Sequence, residues 1–199
     1  MKPYSESCDQ NRDPILEVIE PLLKHTTSVL EIGSGTGQHA VYFAKRMPHL
    51  IWHTSDRKEN HEGIRNWLIE EQLSNTREPL TLDVSQPKWP EIEVDAIFSA
   101  NTTHIMHAEN VVDLFAGIGG LLVNHGLFIL YGPFNYGNRY TSDSNQRFDQ
   151  WLKQRDPKSG IRNFEDLDKL ANNASMALKH DFAMPANNRI LVWQHSIST

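Results

Sequence analysis

Apolar positions along this chain follow two alternating rhythms. Short apolar runs occur at Val29–Ile32, Leu50–Ser55, Leu80–Val84, Val94–Ala100 and Leu127–Tyr131. Between them, apolar residues return at helical spacing over Gln38–Met47, His61–Leu73 and Val111–Leu122. Runs of the first kind read as buried parallel strands, and stretches of the second as amphipathic helices. Strand and helix in alternation predict an α/β fold with helices on both faces of a mostly parallel sheet.

The ends of the chain extend this pattern. Residues 1 to 12 are polar and show no period, so no element is assigned there. Asp13 and Pro14 read as an N-cap and first helical residue, with Ile15, Val18, Ile19, Leu22 and Leu23 forming one apolar face. Pro21 should end or kink that helix. In the helix at 61–73, Ile64, Trp67 and Leu68 point inward, and Trp67 reads as core. Pro87 to Pro90 is a rigid loop, and Asn124-His125-Gly126 a turn. Ser142–Asp156 is an inserted helix with Phe148, Trp151 and Leu152 on one face. Asn163 is then an N-cap, with Asp166 three positions on. Leu178–Met184 and Arg189–His195 are two last strands, which makes seven, the final one antiparallel.

Composition narrows the class. At 199 residues the chain is long enough for one domain with a sizeable core. The inserted segment at about 135–165 is expected to form a helical lid on it. A hydrophobic content of 39% and a charged content of 22% are ordinary for a globular protein. The net charge of −6 and pI near 5.9 disfavour nucleic acid, and no Lys/Arg run marks a basic patch. The one cysteine, Cys8, excludes an internal disulfide and a cysteine-based zinc site. That fits a reducing compartment, and a cytoplasmic location is expected. No apolar run is long enough to span a membrane, and Met1–Glu6 lacks the apolar core of a signal peptide.

The most informative stretch is Val29-Leu30-Glu31-Ile32-Gly33-Ser34-Gly35-Thr36-Gly37. Its glycines permit positive φ and let backbone approach a ligand with no Cβ between them. The helix that follows turns free N–H groups and a positive dipole end toward the same place. The dinucleotide fingerprint is G-x-G-x-x-G, and Gln38 stands where its third glycine belongs. The spacing here is G-x-G-x-G. It resembles motif I of the class I S-adenosylmethionine-dependent methyltransferases, (D/E)-x-G-x-G-x-G, which Glu31, Gly33, Gly35 and Gly37 match in full. The alternative is a tight strand-to-helix turn with no ligand.

A narrower resemblance, to domain of unknown function 938 and the related methyltransferase-like 26 proteins, spans most of the chain. Its stretches are Asn11-Arg12-Asp13-Pro14-Ile15, the glycine loop, Gly132-Pro133-Phe134, Ser144-Asn145 with Phe148-Asp149, Asp156-Pro157 with Gly160-Ile161-Arg162, and Met184-Pro185-Ala186-Asn187-Asn188. It implies a Rossmann-like class I methyltransferase fold and S-adenosylmethionine as cofactor.

The resemblance assigns roles at successive strand ends. Arg12 would meet the methionine carboxylate, or else be a solvated loop arginine. Ser34 belongs to the glycine loop. Asp56 would accept from both ribose hydroxyls, and its other reading is a surface acid closing a strand. Asp83 would accept from the adenine amino group, with the Val84 N–H on a ring nitrogen; the other reading is a turn residue. Asn101 occupies the motif IV position beside the transferring methyl, without the prolines or aromatic of the amino-methyltransferase form. His104 is either a general base or a polar residue that fixes the loop. His104, His107 and Glu109 lack the geometry of a metal site, and no metal is expected.

The turn between the last two strands should lie on the cofactor side. Met184, Asn187 and Asn188 would then face Asn135, Tyr136 and Tyr140, under a roof carrying Asn145 and Arg162. Such a pocket suits a small polar or anionic acceptor. Otherwise the turn only closes a hairpin, its asparagines tolerating left-handed backbone. The function expected is methyl transfer to a small-molecule acceptor. The alternatives are a non-catalytic S-adenosylmethionine- or S-adenosylhomocysteine-binding module and a nicotinamide-dependent oxidoreductase; Gln38 disfavours the last.

Overall fold

The computed structural model describes residues 2–196. Along the chain run α1 (Glu6–Leu22), β1 (Ser28–Ile32), α2 (Gln38–Arg46), β2 (Ile51–Asp56), α3 (His61–Glu71), β3 (Thr76–Thr81) and β4 (Val94–Ala100). Then follow α4 (Ala108–Gly119), β5 (Leu122–Gly132), β6 (Phe134–Asn135), α5 (Asp143–Arg155), β7 (Arg162–Asn163), α6 (Phe164–Asn173), β8 (Met176–Met184) and β9 (Asn188–His195). Seven strands form one sheet in the order β3-β2-β1-β4-β5-β9-β8, and β9 runs against both of its neighbours. The short β6 and β7 pair with each other in parallel.

Both faces of the sheet are covered, and the period of two along each strand shows how. Val29, Ala96, Phe98, Ile129, Tyr131, Ile190 and Val192 pack with Ile15 and Ile19 of α1 and Phe43 and Ala44 of α2. The alternate residues Leu30, Ile97, Phe128, Leu130, Leu191 and Trp193 pack with Leu114, Phe115 and Ile118 of α4 and Leu167 of α6. A strand buried on both sides has no polar side, which is why these runs read as continuously apolar. β1, β2, β3, β4 and β5 are parallel, so their carboxyl ends share one edge. That edge is where ligands bind in open α/β sheets.

Four local expectations are corrected. Asp13 is not a cap: α1 begins at Glu6 and holds Pro14 in its interior, while the Asp13 carboxylate accepts from the Tyr42 hydroxyl. The third strand lies earlier than 80–84, at Thr76–Thr81, which puts Asp83 in the loop beyond it. Asn124-His125-Gly126 is not a turn before β5 but an irregularity inside it, with His125 at φ 67° and a register shift against β4. Asn163 does stand at the N-cap of α6 with Asp166 three positions on, although its side chain makes no capping bond and donates to Asp166 at 3.1 Å. Trp67 packs outside the sheet core, its indole donating to the Pro3 carbonyl at 2.8 Å.

Candidate cofactor cleft

The glycine loop follows the end of β1, and its three glycines have different roles. Gly33, at φ 76°, passes so close to the loop after β4 that a Cβ would lie 2.6 Å from Thr102 Cγ2. Gly37, at φ 92°, lets α2 approach α3, since a Cβ would lie 3.1 Å from the Ile64 Cα. Gly35, at φ 55°, faces open space: a Cβ would meet only the Gly33 carbonyl, at 4.0 Å. The middle glycine therefore leaves the loop open on the cleft side, and its neighbours fix the loop to the protein.

Glu31 anchors this loop from behind. It is buried, accepts from Ser34 Oγ at 3.0 Å and from Trp52 Nε1 at 3.2 Å, and is absent from the cleft lining. Ser34 Oγ in turn accepts from the Ser55 N–H at 3.2 Å. Desolvation pushes the Glu31 carboxyl up to about 7 against the pull of these two hydrogen bonds, with the charge of Asp56 adding to the rise.

Asp56 closes β2. One carboxylate oxygen accepts from the Gly35 N–H at 2.7 Å, and the other from the Arg57 N–H and the Asn60 amide, both at 2.7 Å. An ionised carboxylate has about four acceptor positions, so roughly one remains for a ligand donor. Asp83 accepts from the Ser85 N–H at 3.0 Å and hydroxyl at 2.7 Å through one oxygen only.

Gly33, Ser34, Gly35, Asp56, Asp83, Val84 and Asn101 all line one cleft of about 570 Å³. Asn101 sits there in left-handed backbone, at φ 58°, with its N–H on the Tyr131 carbonyl at 2.9 Å. A larger groove, about 1010 Å³, lies between the 84–93 loop and α4, but it shares only Val84 with this set and lacks the glycine loop. Arg12 lies outside the cleft. It pairs with Asp9 and rests over the Tyr42 ring, 4.6 Å from its centroid. It thus stands neither in the cleft nor as a solvated loop arginine: it is part of α1, and its Nε is buried without a partner.

His104 lies behind the cleft wall rather than in it. It is buried, its ring meets Phe148 edge-on with centroids 5.2 Å apart, and its Nδ1 has no hydrogen-bond partner. Burial, with the charge of Arg162 adding to it, holds the imidazole down at about 4, so it is neutral near pH 7. Three of the five N–H donors of Arg162 are engaged: Nε donates to the Thr103 carbonyl at 3.1 Å, and Nη2 to the Lys158 carbonyl at 3.1 Å and the Met106 carbonyl. It clasps the loop after β4 and does not line the 570 Å³ cleft.

The expected acceptor residues gather around α5 and the β8–β9 turn. Asn145 donates to the Asn187 carbonyl at 3.0 Å, and the Asn187 amide donates to Ser144 Oγ at 3.1 Å. Tyr136 donates to Asp181 at 2.8 Å, and Tyr140 to Asp149 at 2.7 Å. Asn135 is buried with its Oδ1 unpartnered, Met184 belongs to the core, and Asn188 donates to the Pro185 carbonyl at 3.3 Å. None of the eight lines the 570 Å³ cleft. The inserted segment reaches it instead through Asp156, which shares a hydrogen bond of 2.8 Å with His107.

Sequence reasoning missed several lining residues: Ser5, Ser7 and Cys8 from the start of α1, His39, Asn60 and Asn110. For His39 a signal was present, since it follows Gly37 within the first turn of α2. Among the described residues no group of His, Cys, Asp or Glu is arranged to hold a metal ion, and no helix is long and apolar enough to cross a membrane.

The strand order, the single antiparallel strand and the glycine loop define the Rossmann-like class I methyltransferase fold. Solved structures carry the same architecture. An O-methyltransferase family protein from Burkholderia thailandensis superposes with a TM-score of 0.83 at 13% identity, covering 94% of this chain and 57% of that one. Human N-acetylserotonin methyltransferase in complex with SAM gives 0.80 at 15%, covering 96% and 53%. An O-methyltransferase family 2 protein from Planctomyces limnophilus in complex with apigenin gives 0.81 at 13%, covering 94% and 59%. The chain thus spans a little over half the length of these structures. By sequence it belongs to the family described as "Protein of unknown function (DUF938)", whose model matches residues 2–195.

Proposed function

We propose that this chain binds S-adenosylmethionine and transfers its methyl group to a small-molecule acceptor. The observation that carries the reading is the open face of Gly35 between Asp56 and Asp83 in one cleft at the carboxyl edge of the sheet. A Cβ on Gly35 would fill that cradle, and two carboxylates there match a ribose hydroxyl and an adenine amino group. When bound, the cofactor supplies a sulfonium methyl that leaves with its bond electrons staying on sulfur, as S-adenosylhomocysteine forms.

The chain's own part is to position and desolvate. Asp56 takes one ribose hydroxyl rather than two, because three of its acceptor positions are filled by Gly35, Arg57 and Asn60. Asp83 and the Val84 N–H meet the adenine edge. Glu31 and Ser34 hold the loop from behind. Asn101 faces the reacting centre from the end of β4, where it would orient both cofactor and acceptor. A buried, neutral His104 near 4 is a weak base, and its place behind the wall favours the loop-fixing role.

Residues 1–199 act in this reading as a single domain, with the 135–165 segment as a lid tied to the β8–β9 turn through Asn145 and Asn187. The acidic net charge and the unpartnered cysteine fit a cytoplasmic protein whose partner is a small molecule. Calorimetry with S-adenosylmethionine, followed by transfer of labelled methyl from it to candidate acceptors, tests the reading. Binding without any transfer would leave a non-catalytic module.

A further inference from the structure

The residues ahead of α1 are strapped across α3 and α2. The Trp67 indole donates to the Pro3 carbonyl at 2.8 Å. Gly63 lets Pro3 lie against α3, since a Cβ there would be 2.7 Å from Pro3 Cγ. Lys2 pairs with Glu70 at 2.6 Å and rests over the Trp67 ring. Gln38, in the first turn of α2, then takes hold of Ser5. Its Oε1 accepts from the Ser5 N–H at 2.5 Å, and its Nε2 donates to the Ser5 carbonyl at 3.2 Å. The same Oε1 accepts from the Thr36 hydroxyl at 3.0 Å, so one buried amide joins this segment to the glycine loop. Gln38 does not itself line the cleft, whereas Ser5, Ser7, Cys8 and Thr36 do.

Gln38 stands where the dinucleotide fingerprint has its third glycine, and a glycine could make none of these side-chain bonds. What they hold in place follows from the strand order. β3, β2, β1 and β4 are successive neighbours, which sets Asp83, Asp56, the glycine loop and Asn101 in that sequence along the edge. With adenine at Asp83 and ribose at Asp56, the amino-acid end of the cofactor lies over the glycine loop, beside Thr36. Ser5, Ser7 and Cys8 are held at that end. The Ser5 and Ser7 hydroxyls lie 2.8 Å apart. Such hydroxyls can donate to a carboxylate or accept from an ammonium group. Arg12, expected from the sequence to meet this end, is outside the cleft.

We propose that Gln38 is a positioning residue. By gripping Ser5 it holds residues 5–8 as the wall against the amino-acid end of the cofactor, so the cleft selects the whole cofactor over its nucleoside. This rests on the methyl-transfer reading and adds to it the part of the chain that recognises the amino-acid end.

The test is calorimetry of the full chain with two probes, S-adenosylhomocysteine and methylthioadenosine. The second keeps the nucleoside and the sulfur but lacks the amino-acid end. Wild type should bind S-adenosylhomocysteine at least about tenfold more tightly than methylthioadenosine, the effect of about two hydrogen bonds. Gln38→Ala should weaken S-adenosylhomocysteine by about tenfold and methylthioadenosine by less than about twofold. Trp67→Phe removes the donor to Pro3 without touching the cleft lining, and should weaken S-adenosylhomocysteine alone by about threefold. It decides the matter should the buried Gln38 variant fail to fold. Equal wild-type binding of the two probes would overturn the proposal, as would unchanged S-adenosylhomocysteine affinity in a folded Gln38→Ala. A parallel loss of both probes would also overturn it, by making Gln38 a residue of the general fold. Failure of the wild-type chain to bind either probe would instead remove the methyl-transfer reading, and this inference with it.

Discussion

Replacing Glu31 by Gln should make the protein more stable above neutral pH, although it alters a residue of the glycine motif. The carboxyl is buried with no cation beside it, and its ordinary value of 4.5 rises to about 7. At 1.36 kcal/mol per pH unit, that rise corresponds to about 3 kcal/mol of differential stability. Its sign follows from proton linkage. Between pH 4.5 and 7 the folded chain holds a proton that the unfolded chain has released. The contribution is therefore fully present below 4.5, declines as pH rises, and is gone above about 7. A glutamine oxygen can still accept from Ser34 Oγ and Trp52 Nε1, and it does not titrate. Urea unfolding of both proteins at a series of pH values should show the variant gaining about 3 kcal/mol on wild type between pH 4.5 and 8. A difference that stays flat over that range would refute the claim that Glu31 is an uncompensated buried acid.

Further outcomes follow from the same geometry. Asp56→Ala should weaken S-adenosylhomocysteine by ~1.5–3 kcal/mol in calorimetry, the range for hydrogen bonds to a charged group, and unchanged affinity would move the ribose to another residue. Gly35→Val has room for its Cβ, which meets only the Gly33 carbonyl at 4.0 Å, but strains the left-handed backbone at φ 55°; the folded fraction should lose cofactor binding. Retained binding in a folded Gly35→Val would show that the loop is not the cradle. Arg162→Ala removes bonds to three backbone carbonyls and should lower thermal stability by ~2–4 kcal/mol; a change below about 0.5 would show the clasp to be idle. With His104 held near 4, the rate of methyl transfer should show no acid limb from this imidazole between pH 5.5 and 7.5. A limb near 6.5 that disappears in His104→Gln would return it to the role of general base.

Much of the fold was legible because a doubly covered sheet writes its strands as apolar runs, as at Val29–Ile32 and Val94–Ala100. The misreadings fall where that rule fails. β3 is the edge strand; with Arg77, Glu78 and Pro79 in its middle it looks like a loop, and proline is tolerated there because no further strand needs its N–H. The start of α1 was hidden because its inward side lines the cleft. Ser5, Ser7 and Cys8 line it, and Asn11 is spent on a hydrogen bond to His39, so no apolar period marks the helix. Asp56 was readable because topology fixes where the end of β2 lies, whereas Asp83 stands in the loop beyond β3 and not at the strand end expected for it. Arg12 and Arg162 were not readable, because a guanidinium reaches several carbonyls or carboxylates, and sequence does not say which. Asn11 and His39 are 28 residues apart and meet only through the packing of α1 on α2.

The most direct test of the account is a pair of calorimetric titrations of the wild-type chain, with S-adenosylhomocysteine and with NADH. The account predicts one-to-one binding of S-adenosylhomocysteine on the order of micromolar, near −8 kcal/mol, and no heat with NADH. Binding of NADH with none of S-adenosylhomocysteine would contradict it.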